Sequence, residues 1–390
     1  MPAGKRGQRH LGEEGDGELS VARAKGSYLF DTRGKRYVDF VMGWCVGNFG
    51  WGDPELERRI ERFRGPDYVY PEYRYAPWEE LATLLTRIAP GDLTKCFRAT
   101  GGSEAVELAI QAAVLHTKRH AFVSLEESYH GNTFGAMSVA GSEYREKFPR
   151  LLPNCHKIKP PLNDDALERV ETRLKRRDVA AFIMEPVSIN LGVCVPEPGF
   201  IEGLRALCTR YGTLLIYDEV ACGFGRTGKI FAAEHFDAAP DIMCIAKAIS
   251  GGVAGMGAML ATAAVGETME ANGEFYSTYG WHPRATHVAI ASVRRILRDK
   301  RKLLSQVVAT SDYFRERIGA MEFKKKLTLN MLGLAIGLHF EGDYGEGLAD
   351  RCRRNGLLVA SQSEDVLLLP ALNIDRRTAS RGLDILEQSA

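Results

Sequence analysis

No apolar run in the 390 residues approaches the roughly 20 needed to cross a bilayer, which argues against a membrane span. Net charge of one sign is also missing: 51 basic and 50 acidic residues are interspersed, leaving +1. A nucleic acid or an anionic membrane surface is therefore not expected as a partner, and a small molecule is. The eight cysteines form no CxxC pair and no metal-ligand spacing, so neither a disulfide framework nor a zinc site is expected, and a reducing cytoplasm fits. Residues 1–20 are Gly-rich and charged rather than signal-like, and read as a mobile tail.

What is present is enough apolar content, 45%, to bury a large core in a chain long enough for two lobes. YLFDTRGKRYVDF, residues 28–40, alternates around a turn signal and predicts a hairpin. From about residue 90 to 260, short apolar runs alternate with amphipathic helical patterns. The runs are HAFVSL, VAAFIMEP, GTLLIYDEV, DIMCIA and GAMLATAA; the helices include SEAVELAIQAAVLHT and GFIEGLRALCTRYG. This order predicts an α/β fold with a mainly parallel sheet covered by helices, and a ligand at the carboxyl ends of its strands. Beyond Pro283 a long helical pattern leads into LGLAIGLHF, GLLVAS and DVLLLPAL, which read as a smaller α+β lobe.

Four features carry chemistry. In CIAKAISGG, Lys247 sits among Ile245, Ala246, Ala248 and Ile249; stripping water from the amine favours its neutral, nucleophilic form, although a lysine snorkelling at a strand end has the same surroundings. The two glycines after Ser250 suit close approach of the backbone to a ligand. Asp218 ends TLLIYDEV at a carboxyl edge, where a buried carboxylate needs a cationic partner such as a protonated ring nitrogen, or else simply caps a surface turn. ATGGSEAVELA opens a helix with Gly102 and Ser103, either an anion site built from backbone amides or an ordinary cap. In SYHGNTFGAMS, Tyr129 and His130 follow a strand toward the same edge, where a flat ring can stack on a ring cofactor.

Together these residues ask for one ligand with a phosphate, a π-face, a basic ring nitrogen and an aldehyde. The sequence resembles the class III pyridoxal-phosphate-dependent aminotransferases of PLP fold type I from about residue 25 to 375. The resemblance runs through TGGSEAVELA, SYHGNTFGAMS, MEPVSINLGVCVPEPGFIEGLRALCTRYGTLLIYDEVACGFGRTGK, PDIMCIAKAISGG and STYGWHP. It implies a large domain at 56–283 with a mainly parallel seven-stranded sheet, and a small α+β domain at 284–390 joined by residues 21–55.

By the same resemblance Lys247 holds pyridoxal 5'-phosphate as a Schiff base and shuttles a proton, while Asp218 keeps the ring nitrogen protonated. Val220 packs on the ring face opposite Tyr129, Gly102 and Ser103 cradle the phosphate, and His130 and Glu185 lie near the ring edge. Thr278 of STYGWHP reaches the phosphate site of a neighbouring subunit, which implies a homodimer. No metal is implied. The reaction implied moves an amino group from a small amine donor to a carbonyl acceptor.

One segment departs from the pattern. Ornithine and acetylornithine aminotransferases continue as EPIQGE, whereas this chain reads EPVSIN, with Asn190 in place of the last glutamate. That asparagine is similar to glutamate-1-semialdehyde aminomutase and raises intramolecular amino migration as the alternative. The loop after SYHG looks like that of an ordinary aminotransferase, so transamination is the favoured expectation. Arg98, Trp44 and Asn190 are candidates to touch substrate; Arg226, in GFGRTG, is expected to be structural, with a carboxylate ligand role as its alternative.

Overall fold

The computed structural model describes residues 19–273, 275–362 and 364–390, so most of the expected N-terminal tail lies outside the described residues. The hairpin is present. Strands β1 (Val21–Lys25), β2 (Tyr28–Asp31) and β3 (Arg36–Asp39) form an antiparallel meander in which Tyr28 faces Val38. Its turn is closed by Asp31, whose Oδ1 accepts from the amides of Arg33 and Lys35.

The central sheet contains β4 (Leu93–Ala99), β5 (Ala121–Leu125), β6 (Cys155–Ile158), β7 (Val179–Met184), β8 (Leu214–Asp218), β9 (Ile242–Ile245) and β10 (Gly257–Thr262), in the spatial order β4-β10-β9-β8-β7-β5-β6. From β9 through β6 every pairing is parallel, and β10 runs antiparallel to both β4 and β9. A mainly parallel sheet must be covered on both faces. Alternation along each strand supplies the two faces: Phe122, Ala181, Ile183 and Ile216 pack toward the helix Gly102–Thr117, while Val123, Phe182, Leu215 and Tyr217 pack toward Asp164–Leu174 and Phe200–Tyr211.

After the 37-residue helix Pro283–Gly319 come β11 (Thr328–Leu332), β12 (Ala335–His339), β13 (Leu357–Leu358), β14 (Ala360–Gln362) and β15 (Asp365–Leu368). Four of these make an antiparallel sheet in the order β11-β12-β15-β14. The fifth, β13, pairs in parallel with β3 and so ties the N-terminal meander to the C-terminal segment. One hydrophobic core runs through both ends of the chain, from Val38 and Leu81 through Ile249 to Ile336 and Leu383.

Candidate active site

The carboxyl ends of β4, β5, β7, β8 and β9 converge on a cavity of about 380 Å³. Thr100, Gly101, Gly102 and Ser103 line it after β4, Tyr129, His130 and Gly131 after β5, Glu185 and Asn190 after β7, Asp218, Val220 and Ala221 at β8, and Ala246 and Lys247 after β9. Gly252 to Met256 close the remaining side before β10 begins. This is the edge at which the sequence pattern placed a ligand.

Lys247 follows β9 directly and has φ +42°, a left-handed conformation that costs a non-glycine residue on the order of 1 kcal/mol or more. It opens a short 3-10 turn, Lys247–Ser250, whose other three residues are buried. The lysine alone of the four lines the cavity, half-buried. Of the two glycines that follow, both with positive φ, Gly252 reaches the cavity wall and Gly251 packs against Leu56.

Asp218 is 4% exposed. Its Oδ1 accepts from the Val220 amide at 3.0 Å, and its Oδ2 is 2.8 Å from His130 Nδ1. The imidazole and the carboxylate are thus joined directly through Nδ1 and Oδ2. His130 is itself buried, and its Nε2 has no partner among the described residues. Buried polar atoms are rarely left this way. The carboxylate has no lysine or arginine beside it within ion-pair distance among the described residues.

Glu185 is also buried, and its environment differs. Burial pushes its carboxyl up to about 8, the Asp218 charge adds to the effect, and the Asn190 hydrogen bonds and the Lys247 charge work against it. Asn190 Nδ2 donates to Oε1 at 2.9 Å, and the Ile189 amide donates to Oε2 at 3.3 Å. The Asn190 side chain thus fixes a carboxyl group whose burial favours its protonated form.

The helix Gly102–Thr117 begins at the cavity wall without a side-chain cap, so its first amides are free. Glu104 is turned back on Thr100, accepting from its amide and hydroxyl. A Cβ on Gly102 would lie 3.1 Å from Val220 Cγ1, and one on Gly131, whose φ is +126°, would lie 2.4 Å from Ser103 Oγ. Larger residues at either place would fill the cradle.

A second cavity, about 390 Å³, shares Tyr129, Asn190 and Lys247 with the first and is bounded by Trp44, Glu127, Glu143, Tyr144 and Gln362. It forms the mouth. The Trp44 candidate is therefore brought to the site, whereas Arg98 is not: its guanidinium stacks 3.7 Å over the Trp78 ring and donates to the Pro71 carbonyl. Phe97 and Ala99 face the helix Gly102–Thr117, so alternation turns Arg98 toward the opposite face. Arg226 is fully buried and donates to the carbonyls of Leu334 and Pro370 and to Asn48 Oδ1, which leaves it no route to a substrate. Thr278 is exposed and does not line the cavity of its own chain. The mouth residues Glu127, Glu143 and Tyr144 were not singled out from sequence; Glu127 lies two residues beyond β5, and the carboxyl-edge rule points to it.

Among the described residues no helix is long and apolar enough to cross a membrane, no cluster of side chains could hold a metal ion, and all eight cysteines are free. The model of the class-III aminotransferase family matches residues 12–389. An acetylornithine aminotransferase of Methanosarcina mazei is 34% identical over 378 residues, covering 95% of this chain and 91% of that protein. A putrescine aminotransferase of Pectobacterium atrosepticum is 32% identical over 93% of this chain and 80% of its own length. A solved taurine:2-oxoglutarate aminotransferase of Bifidobacterium kashiwanohense, in complex with PLP and glutamate, superposes with a TM-score of 0.90 over 98% of this chain and 94% of that one, at 26% identity. With its sheet, its cavity and these relatives in agreement, the chain belongs to the class-III aminotransferases, enzymes that transfer amino groups with pyridoxal phosphate.

Proposed function

We propose that Lys247 is the residue that carries the cofactor and acts as the base of a transaminase whose donor is a small primary amine and whose acceptor is a keto acid or aldehyde. One observation carries this reading: Lys247 and a buried, cation-free Asp218 line the same cavity as the uncapped amides of Gly102 and Ser103. The fit to pyridoxal phosphate rests on the chain's own groups. Among the described residues Asp218 has no lysine or arginine beside it and His130 Nε2 has no partner, while a Cβ on Gly131 would clash with Ser103 and one on Gly102 would press on Val220. The chemistry that pyridoxal phosphate supplies when bound is an aldehyde able to exchange amines and a protonated ring that takes up the electron pair released at the reacting carbon.

In this reading Asp218 would hold the proton of the cofactor's ring nitrogen, its carboxylate fixed by His130. Gly102 and Ser103 bind the phosphate through free amides at a helix N-terminus. Tyr129 and Val220, which line the cavity, would pack against the ring, and Glu185 and Asn190 would lie toward its edge. Lys247, half-buried at the cavity wall, would hold the cofactor through Nζ and would serve as the base for the proton of the reacting carbon. Intramolecular migration gains nothing from Asn190, whose side chain is engaged with Glu185.

The active unit is a homodimer in which Thr278 completes the phosphate site of the neighbouring subunit. Support comes from its exposure and from the unburied tyrosines around it: Tyr68 and Tyr279 have ring centroids 6.0 Å apart, Tyr70 and Tyr276 6.2 Å. A cytoplasmic location accords with eight free cysteines. Borohydride reduction of the holoenzyme followed by peptide mapping should place the cofactor on Lys247; label on any other lysine overturns the assignment.

A further inference from the structure

Trp44 and Val46, which line the mouth and the lysine cavity respectively, are carried by a left-handed turn. Met42, Gly43, Trp44 and Cys45 all have positive φ, at +47°, +59°, +60° and +68°. The Val46 amide closes the turn on the Met42 carbonyl at 2.9 Å. Residues with a side chain visit this conformation singly and at a cost, and three of these four are not glycine. The turn sends its side chains two ways: Met42 and Cys45 are buried, while Trp44 and Val46 stand at the cavity walls.

One carboxylate braces it. Asp39, 1% exposed at the end of β3, accepts through Oδ1 from the amides of Val41 and Met42 at 2.8 and 2.9 Å, and through Oδ2 from Trp51 Nε1 at 2.8 Å. Trp51 is fixed in turn by a two-way backbone bridge to Gly26, at 2.7 and 2.8 Å. Its ring lies against the turn: a Cβ on Gly43 would be 3.2 Å from Cη2, one on Gly47 3.1 Å, and one on Gly252, in the wall of the lysine cavity, 3.3 Å from Cζ3. A disfavoured backbone persists only where its surroundings over-determine it. We propose that Asp39 is a positioning residue of the amino-transfer reaction: through two amides and Trp51 it holds the left-handed turn, and so sets where Trp44 stands against the far part of a donor. Asp39 lines neither cavity and acts through Trp44 alone. This rests on the assignment of the reacting amine to Lys247.

The test uses holoenzyme with excess pyridoxal phosphate and two probes, ethylamine, which ends near Lys247, and hexylamine, which extends into the mouth. Loss of the cofactor's long-wavelength absorbance without an acceptor gives half-saturation and limiting rate; calorimetry gives Kd where an amine binds unconverted. Asp39→Ala should raise half-saturation or Kd for hexylamine about tenfold, with ethylamine and both limiting rates within about twofold of the parent. Asp39→Asn keeps an oxygen for the two amides but turns a donor on Trp51 Nε1, and should give the same selective rise at about threefold. It carries the test if the alanine variant does not fold. Trp78 and Trp281 are buried, so acrylamide quenching of fluorescence reports the half-buried Trp44 and Trp51, and it should increase in both variants. An equal rise for both amines, a fall in limiting rate alone, parental values throughout, or unchanged quenching would each overturn the proposal. Absence of borohydride label on Lys247 strikes the parent assignment instead.

Discussion

Asp218 and Glu219 are adjacent in sequence and both buried, yet they belong to different regions. Glu219 is held by the protein itself, its oxygens accepting from the Ala232 and Ala233 amides, and Arg226, also buried, joins Asn48 to the carbonyls of Leu334 and Pro370. Asp218 and its partner His130 lie in a region left open, where one ring nitrogen has no partner and the carboxylate has no fixed cation. Arg226 finds three acceptors within the chain and leaves only its Nε without a partner among the described residues, whereas Asp218 and His130 border a cavity able to hold a ligand. Strand alternation is enough to send two neighbouring carboxylates to these opposite fates.

The contrast can be broken experimentally. Arg226→Met should give the largest effect, a loss of about 3–5 kcal/mol in stability, because three buried acceptors lose their donor. Denaturant unfolding would measure it, and turnover per folded molecule should persist. A collapse of turnover at full stability would move Arg226 into the open region. Asp218→Asn should do the reverse, lowering turnover by about a hundredfold while leaving the unfolding midpoint nearly in place; stopped-flow kinetics beside a melting curve separates the two.

Glu185 tests the open region by pH. Its folded carboxyl sits near 8, above the ordinary value, so the native state binds the extra proton, and the stability this brings is full at low pH and lost as pH rises through about 8. Glu185→Gln has no proton to lose. Melting temperatures of the cofactor-free proteins should therefore diverge in favour of the variant as pH rises, and parallel curves would contradict the assigned burial effect. The smallest effect belongs to Arg98→Lys. Loss of guanidinium stacking on Trp78 should cost about 0.5–1 kcal/mol. Half-saturation by any donor should not change; a raised value would return Arg98 to the substrate site.

The strands buried on both faces were legible as apolar runs because a parallel sheet covered by helices leaves no polar face. CHKI, the edge strand β6, was not, since an edge paired on one side tolerates polar residues and resembles a loop. At the site, Lys247 and Asp218 stood out because a charge ending an apolar strand needs an explanation. Arg98 misled for the complementary reason: nearness to the phosphate loop in sequence says nothing about which face of β4 a side chain takes. Glu127 and Glu143 were invisible because exposed acids in a loop are the commonest of surface residues, and only the cavity beside them makes them notable.

The one antiparallel strand of the central sheet bears on how the enzyme is made. The phosphate cradle follows β4 and the lysine follows β9; these strands lie two strand spacings, about 10 Å, apart only because β10 is inserted between them. Gly257–Thr262 is translated after Lys247 and Asp218 and supplies the strand that hydrogen-bonds β4 to the rest of the sheet. A chain arrested before β10 therefore lacks the strand that joins β4 to β9, and should bind pyridoxal phosphate more weakly than the complete chain.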